Sequence, residues 1–390
     1  MRVTNSRVTN TALNRRFSSS VNDVHSKLNK AMNKISSGRA YESASENPLA
    51  YYEGKKLDNK FQDIQSQLNL LGDLKHRLEE QESGAYSIQT KLAEAQKQMI
   101  YIRSSNNNEG DQTVETVRQD FLQKGQFMAN CLNGQYEDYY VFGGSDVSTP
   151  PFALSSDGME LTFTHKFPGD TDATVMKIKL VEKGNPPAAA LEFSGSDKNG
   201  TTNSDTTLNN IVRAMKEQGR VDVGYGDISN RDTLLDTFTG GLNVLTGLNS
   251  DTVNKMSDAD AKKEVEERLL NSPIFLLGQA VNACNTRLDE GQSNCVEFSE
   301  KMGVLIDKAT LTHSRVGTVY SDIGTKWATM DGLETKHKKT SQNLQEQYKD
   351  KLGADPYESI MEMFSYQYSY SASLQMGSKL MQSSLFDFLR

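Results

Sequence analysis

The sequence predicts a mainly α fold, in which the two ends of the chain form a long antiparallel helical rod and a smaller α+β domain is inserted between them. Heptad-like apolar stripes at both ends and a central stretch of alternating residues support this. The composition of 36% apolar and 24% charged residues, with only 8 prolines, is typical of long helices with narrow seams. A chain of 390 residues is expected to hold several domains.

The last stretch of the chain carries a clear helix start. Asp355 can cap the helix, Pro356 suits its first position, and Glu358 can complete a capping box. Apolar or small residues then recur every three or four positions, namely Tyr366, Tyr370, Leu374, Gly377, Met381, Leu385 and Phe388. The pattern predicts one helix with a continuous apolar stripe that needs a partner.

The first forty residues offer that partner. The same rhythm recurs at Phe17, Val21, Val24, Leu28, Ala31 and Ile35, and Ser36-Ser37-Gly38 is expected to end the helix. We therefore predict a terminal coiled-coil domain made of residues 1–47 and 355–390.

Two longer heptad segments predict the rod itself. One begins at Asn47-Pro48 and reaches Ser104, and the other runs from Asn294 to Leu352. Each would be roughly 80 to 90 Å long, and neither is stable unless its stripe is covered. The predicted seam contains Leu68, Leu71, Leu92, Val316, Val319 and Ile323. With a helix at Thr113–Leu132 and parts of 232–288, the rod domain is predicted to span 48–140 and 232–354.

The middle of the chain has strand signals. Tyr139–Phe142 is a short β-type run before Gly143-Gly144, and the segments 161–167 and 175–181 alternate, which predicts a small sheet with one solvated face. The polar tract 195–205 is predicted to be a loop. The inserted domain is placed at 141–231.

Sites for chemistry are not evident in the sequence. The net charge of -8 argues against general nucleic-acid binding, although residues 1–40 have an excess of basic residues that we interpret as a solvated face. No apolar run is long enough for a membrane span, and residues 1–10 lack the core of a cleaved signal peptide. The five His and three Cys residues lack metal-ligand spacing, and no phosphate loop or nucleophile elbow occurs. We expect no catalytic, cofactor or metal site and no enzymatic activity.

Several motifs resemble those of the bacterial flagellin family, and specifically its branch that forms the hook-filament junction. The quoted segments are Ser36-Ser37-Gly38-Arg39, Asn47-Pro48-Leu49-Ala50, Tyr139 to Gly144 with Pro151-Phe152, Ser314-Arg315-Val316-Gly317, Ala354-Asp355-Pro356-Tyr357 and Ser384 to Leu389. The resemblance covers the two ends of the chain and leaves about 155–285 unmatched. The motif at Tyr139 to Phe152 favours the junction branch over flagellin itself.

The resemblance implies a structural protein of the bacterial flagellum, exported without a cleaved signal and located outside the cell. Implied partners are the first hook-associated protein, flagellin, an export chaperone of the flagellar secretion system and neighbouring copies in a ring. It also implies terminal segments that are disordered in the free subunit and fold on assembly. The implied interface comprises Phe17, Val21, Val24, Leu28, Ile35, Tyr366, Tyr370, Leu374, Met381 and Leu385.

Two other interpretations stay open. A divergent flagellin would share the architecture but polymerise indefinitely, and a secreted helical adhesin or effector would use its middle domain to bind a host ligand.

Overall fold

The computed structural model describes residues 4–41, 43–104, 110–184, 188–217, 219–222 and 234–388. Within these residues the chain is mainly helical with small antiparallel sheets. The helices, numbered α1 to α10 in chain order, are Thr4–Ser37, Pro48–Arg103, Asp111–Cys131, Ser204–Lys216, Gly241–Thr246, Ser250–Lys255, Asp258–Leu270, Pro273–Glu290, Cys295–Leu352 and Pro356–Phe388. The strands, β1 to β9, are Gln135–Tyr136, Tyr139–Tyr140, Phe152–Leu154, Glu160–His165, Thr174–Lys183, Ala188–Asp197, Gly200–Thr202, Gly219–Asp222 and Leu234–Phe238.

The chain divides into two compact units. One comprises Met1–Leu68 and Lys336–Arg390, and the other comprises Asn69–Thr335. The two long helices, α2 and α9, contribute to both units. The division into a terminal domain, a rod domain and an inserted domain at 141–231 stays a prediction.

In the central unit, α2 and α9 run antiparallel. Three contacts show this: Lys75 contacts Asp331, Gln89 donates to the His313 carbonyl, and Ser299 donates to the Arg103 carbonyl. The residue numbers of the contacts on α9 fall as those on α2 rise. The predicted seam residues of this unit are buried, namely Leu71, Leu92, Val316, Val319 and Ile323. Leu68, in the other unit, is half-buried. The long antiparallel rod as a whole stays a prediction.

A five-stranded antiparallel meander, in the order β3-β4-β5-β6-β7, lies in the same unit. Along β5, Met176 and Ile178 are buried, whereas Lys177 and Lys179 lie on the other face and stay accessible to solvent. This alternation confirms the predicted sheet with one solvated face. β1 pairs with β2, and β8 pairs with β9, as separate two-stranded antiparallel sheets.

The prediction of a loop at 195–205 is wrong. The segment contains the end of β6, the strand β7 and the start of α4. Its polar residues make a tight turn and a helix cap: the Asn199 amide donates to Asp197 Oδ1 at 2.7 Å, Gly200 has a φ of 113°, and Asn203 Oδ1 accepts from the Thr206 amide at 2.8 Å. Turn and cap residues have the same polar composition as a loop.

The predicted strand at Tyr139–Phe142 is also shorter than expected. Only Tyr139 and Tyr140 pair with another strand, while Val141 and Phe142 are fully buried turn residues. Their carbonyls accept hydrogen bonds from residues that are distant in sequence: Gln81 Nε2 donates to Val141 O, and the Gly241 amide donates to Phe142 O at 2.8 Å. The apolar side chains of Val141 and Phe142 therefore pack into the core, and these residues do not extend the strand.

Candidate assembly interface

The predicted interface residues lie in the unit formed by Met1–Leu68 and Lys336–Arg390. Its helix α1 ends at Ser37, where Gly38 has a φ of 67°, a left-handed conformation that favours glycine. α10 begins at Pro356, and Asp355 Oδ1 accepts from the Tyr357 amide at 2.8 Å. Both predicted helix boundaries are confirmed.

The links that precede α10 and follow α1 are joined by backbone hydrogen bonds. The Ala40 amide donates to the Leu352 carbonyl at 2.6 Å, and the Ala354 amide donates to the Gly38 carbonyl at 3.0 Å. Arg39 and Gly353 form an antiparallel bridge between them. The arrangement holds the end of α1 beside the start of α10.

From that point α1 and α10 run antiparallel as a helix pair. Lys34 Nζ lies 3.1 Å from Glu362 Oε2, the His25 and Tyr370 rings are 5.3 Å apart, and the Phe17 ring faces Gly377. The seam therefore passes through Glu362, Tyr366, Tyr370 and Gly377 on α10 and meets a stripe on α1.

The seam is only partly buried. Most of its predicted members are half-buried, namely Phe17, Val21, Val24, Leu28, Tyr366 and Tyr370, whereas Ala31 is buried and Ile35 is exposed. By contrast, Leu78, Ile88 and Leu92 of the central unit are 0% exposed. The terminal pair therefore gains less stabilisation per residue from burial than the long helices do.

Leu374 is not part of the seam, contrary to the predicted continuous stripe, because its side chain is 50% exposed. Two successive steps of four residues, from Tyr366 to Tyr370 to Leu374, rotate each side chain by about 40° and carry Leu374 to the edge of the seam. Met381 and Leu385 are helical residues of α10, but their side chains lie outside the described part of the chain.

A second apolar stripe on α10 is exposed. It consists of Tyr357, Met361, Phe364 and Tyr368, and each of these side chains is more than half exposed. At 100° per residue they share the face opposite Tyr366 and Gly377. We call this set the outer stripe. Its spacing of four, three and four is visible in the sequence, but the predicted interface contains none of these four residues.

Three lysines of α1 line a cleft of about 260 Å³ beside the seam. Each has an acidic partner: Lys27 pairs with Asp23 at 3.0 Å, Lys30 with Glu46 at 3.0 Å, and Lys34 with Glu362. Lys27 is exposed, and its hydrogen bond to Asp23 raises its pKa. Much of the basic excess of α1 is thus paired locally, in agreement with a solvated basic face.

The described residues contain no group of three or more His, Cys, Asp or Glu side chains placed to hold a metal ion. None of the helices in the described ranges is long and apolar enough to cross a membrane. The three cysteines, Cys131, Cys284 and Cys295, are not joined in disulfides within the described residues.

Among known proteins, no family model matches the chain, and no curated protein matches it. Its structural neighbours include a flagellar hook-associated protein from Vibrio parahaemolyticus, with 14% identity and a TM-score of 0.48 over 79% of this chain and 100% of that one. Another is FlgL from Bacillus cereus, with 10% identity and a TM-score of 0.35 over 77% of this chain and 100% of that one.

Proposed function

We propose that this protein is a structural component of the bacterial flagellum that joins the hook to the filament. One observation carries the proposal: α10 is apolar on two opposite faces, of which one is covered by α1 and the other, the outer stripe, is exposed. Exposed apolar stripes of this kind mark surfaces for protein interaction. The motifs that resemble the flagellin family supply the identity of the partners.

The occupants of the outer stripe would be neighbouring copies of this chain in a ring. A helix pair with a half-buried seam is marginal alone, because nucleating a helix is costly and little apolar area is removed from water. A neighbour that covers Phe364 and Tyr368 would remove more of it. The terminal pair would then be fully ordered only in the assembly, with the first hook-associated protein on one side and flagellin on the other.

Before assembly, the same stripe would need protection. An export chaperone that covers an amphipathic helix with its own apolar groove fits this requirement. The protein would then leave the cell through the flagellar secretion system, without a cleaved signal, and act outside it.

Limited proteolysis tests the order of folding. Trypsin is expected to cut first within α1, after Lys27, Lys30 or Lys34, and within α10, leaving a resistant fragment bounded near Asn47 and Gly353. The buried seam of the central unit accounts for its resistance. If α1 and α10 of a verified monomer survive as long as the segment from Leu71 to Arg103, folding on assembly is ruled out.

Electron microscopy of a strain lacking the gene tests the function. Hooks without filaments, together with flagellin released into the medium, are expected. Complementation with the wild-type gene should restore filaments. Normal filaments in the deletion strain would contradict the junction role.

The divergent flagellin remains the second candidate because it would share the paired terminal helices. The two differ in one property, since flagellin subunits elongate into filaments and a junction protein stops after one layer. Purified subunits that grow into long filaments would favour flagellin.

A further inference from the structure

A cleft of about 320 Å³ lies in the central unit, away from the terminal helices. Four elements form it: β5 contributes Leu180, β6 contributes Ala189, α8 contributes Ala283, and α9 contributes Leu305 and Lys308. The volume is at the lower end of the range of about 300 to 1,000 Å³ that is typical of small-molecule sites.

The cleft has an apolar floor. Leu180, Ala283 and Leu305 are buried beneath it, while Val304 stands at its mouth with 56% of its surface exposed. Leu305 and Val304 precede Lys308 on α9 by three and four positions, so each of them neighbours Lys308 on the helix surface. An aliphatic chain lying along this face would be removed from water by the floor.

Lys308 distinguishes the cleft from a packing defect. Its side chain is half-buried, and among the described residues no hydrogen bond or ion pair to its ammonium is seen. Burial lowers its pKa, and no neighbouring carboxylate raises it again. A partly buried cation without a counter-charge is costly, and an anionic ligand group would remove that cost.

The acidic residues of the cleft have other partners or lie away from Lys308. Lys301 pairs with Glu297 at 3.0 Å, and Asn282 Nδ2 donates to Glu182 Oε1 at 2.7 Å. Glu300 is exposed and precedes Lys308 by eight residues, about 12 Å along the helix axis. The end of the cleft at Lys308 is therefore its positive end.

We propose that this cleft binds a small aliphatic monocarboxylate, whose carboxylate pairs with the Lys308 ammonium while its chain lies on Leu180, Ala283 and Leu305. The proposal is independent of the role of α1 and α10, because every residue of the cleft lies within Asn69–Thr335.

Isothermal titration of the full chain with octanoate tests the site. Octanoate is expected to bind at least about tenfold more tightly than acetate, which lacks the chain, or octylamine, which carries the wrong charge. Lys308→Met should weaken octanoate binding by a similar factor, and Ala189→Leu should prevent it by filling the cleft. Lys263→Met, which removes an exposed lysine of α7 outside the cleft, is the matched control and should bind as wild type does.

A measurement on the chain without any substitution guards against misfolded variants. With ¹³C-labelled dimethyl-lysine, the resonance of Lys308 should titrate at a higher pH in the presence of octanoate than in its absence, because a bound carboxylate favours the charged amine. Equal octanoate affinities for wild type and Lys308→Met would overturn the proposal. An absence of octanoate binding to the wild-type protein, or an unchanged Lys308 titration, would do the same.

Discussion

The Phe17 ring of α1 lies against Gly377 of α10, so closely that a Cβ added at Gly377 would stand 2.6 Å from the ring. The absence of a side chain at Gly377 therefore lets the two helices approach at this point. A glycine inside a helix costs about 0.5 to 1 kcal/mol relative to alanine, which the close contact offsets.

Gly377→Val should force Phe17 out of its position and loosen the terminal pair. Overpacking of this kind costs about 1 to 3 kcal/mol. Hydrogen exchange followed by mass spectrometry should show faster exchange in α1 and α10, with unchanged exchange in the buried part of α2. Gly332→Val is the control, because a Cβ at that exposed helical position meets nothing within 4 Å. Unaltered exchange in α1 of the Gly377 variant would mean that this contact does not hold the pair.

The buried seam between α2 and α9 gives a second prediction. Leu71→Ala should lower the free energy of unfolding by about 2 to 5 kcal/mol, because Leu71 is buried. Val319→Ala should cost roughly 1.6 kcal/mol for the two methyl groups removed. Leu311→Ala on the exposed face of α9 serves as the control and should change stability by less than about 0.5 kcal/mol. Urea unfolding measures all three, and equal midpoints for Leu71→Ala and Leu311→Ala would contradict the pairing.

The heptad rhythm predicts this seam well, because a period of 3.5 residues is visible without knowing the partner. In the same heptad pattern, the charged residue Lys75 interrupts the series of apolar positions. In the structure Lys75 Nζ lies 2.7 Å from Asp331 and 2.9 Å from Glu334, and 4.8 Å from the centre of the Trp327 ring. These partners are more than 250 positions away in sequence, so no local pattern can predict the contact.

The interface on α10 shows a different limit to what a heptad pattern can predict. Tyr366 and Tyr370 are predicted from spacing and lie in the seam, whereas Leu374 has the right spacing and lies outside it. A heptad pattern determines a face only to within about one side chain, since steps of three and four rotate in opposite directions. The actual seam depends on the partner helix, and Gly377 becomes part of it because Phe17 is opposite.

Stability of the central unit should also depend on pH through His165. This ring is buried between Phe163 and Phe167, and its Nε2 lies 3.1 Å from Ser145 Oγ. Burial lowers its pKa below the ordinary value of 6.5, although Asp146 and Glu217 act in the opposite direction. The unfolded chain therefore binds this proton more readily, and stability should fall as pH drops below about 6.5.

Thermal melts between pH 7.5 and 5.5 measure this dependence. His165→Gln should lower the melting temperature at both pH values, because the packed ring is lost, but should flatten the decline on acidification. His76→Gln is the control, since His76 is exposed beside Glu79. The part of the decline that is due to other groups, including the buried His337, should persist in the variant. A slope identical to that of the wild type would show that His165 does not titrate in this range.

The outer stripe provides the sharpest test of the proposed assembly role. Phe364 is 57% exposed and Tyr368 is 79% exposed, so Phe364→Glu with Tyr368→Glu should leave the α1–α10 seam and the central unit folded. Two carboxylates on this face cannot be buried against a neighbour without a large desolvation cost. Binding of the export chaperone, measured by calorimetry, and filament attachment, measured by motility of the complemented deletion strain, should both be lost. Ser365→Glu with Gln367→Glu adds the same charge to the same helix on either side of the stripe and should retain both. If the stripe variant binds the chaperone and supports swimming as the control does, the outer stripe is not the assembly surface, and the proposed role of α10 is contradicted.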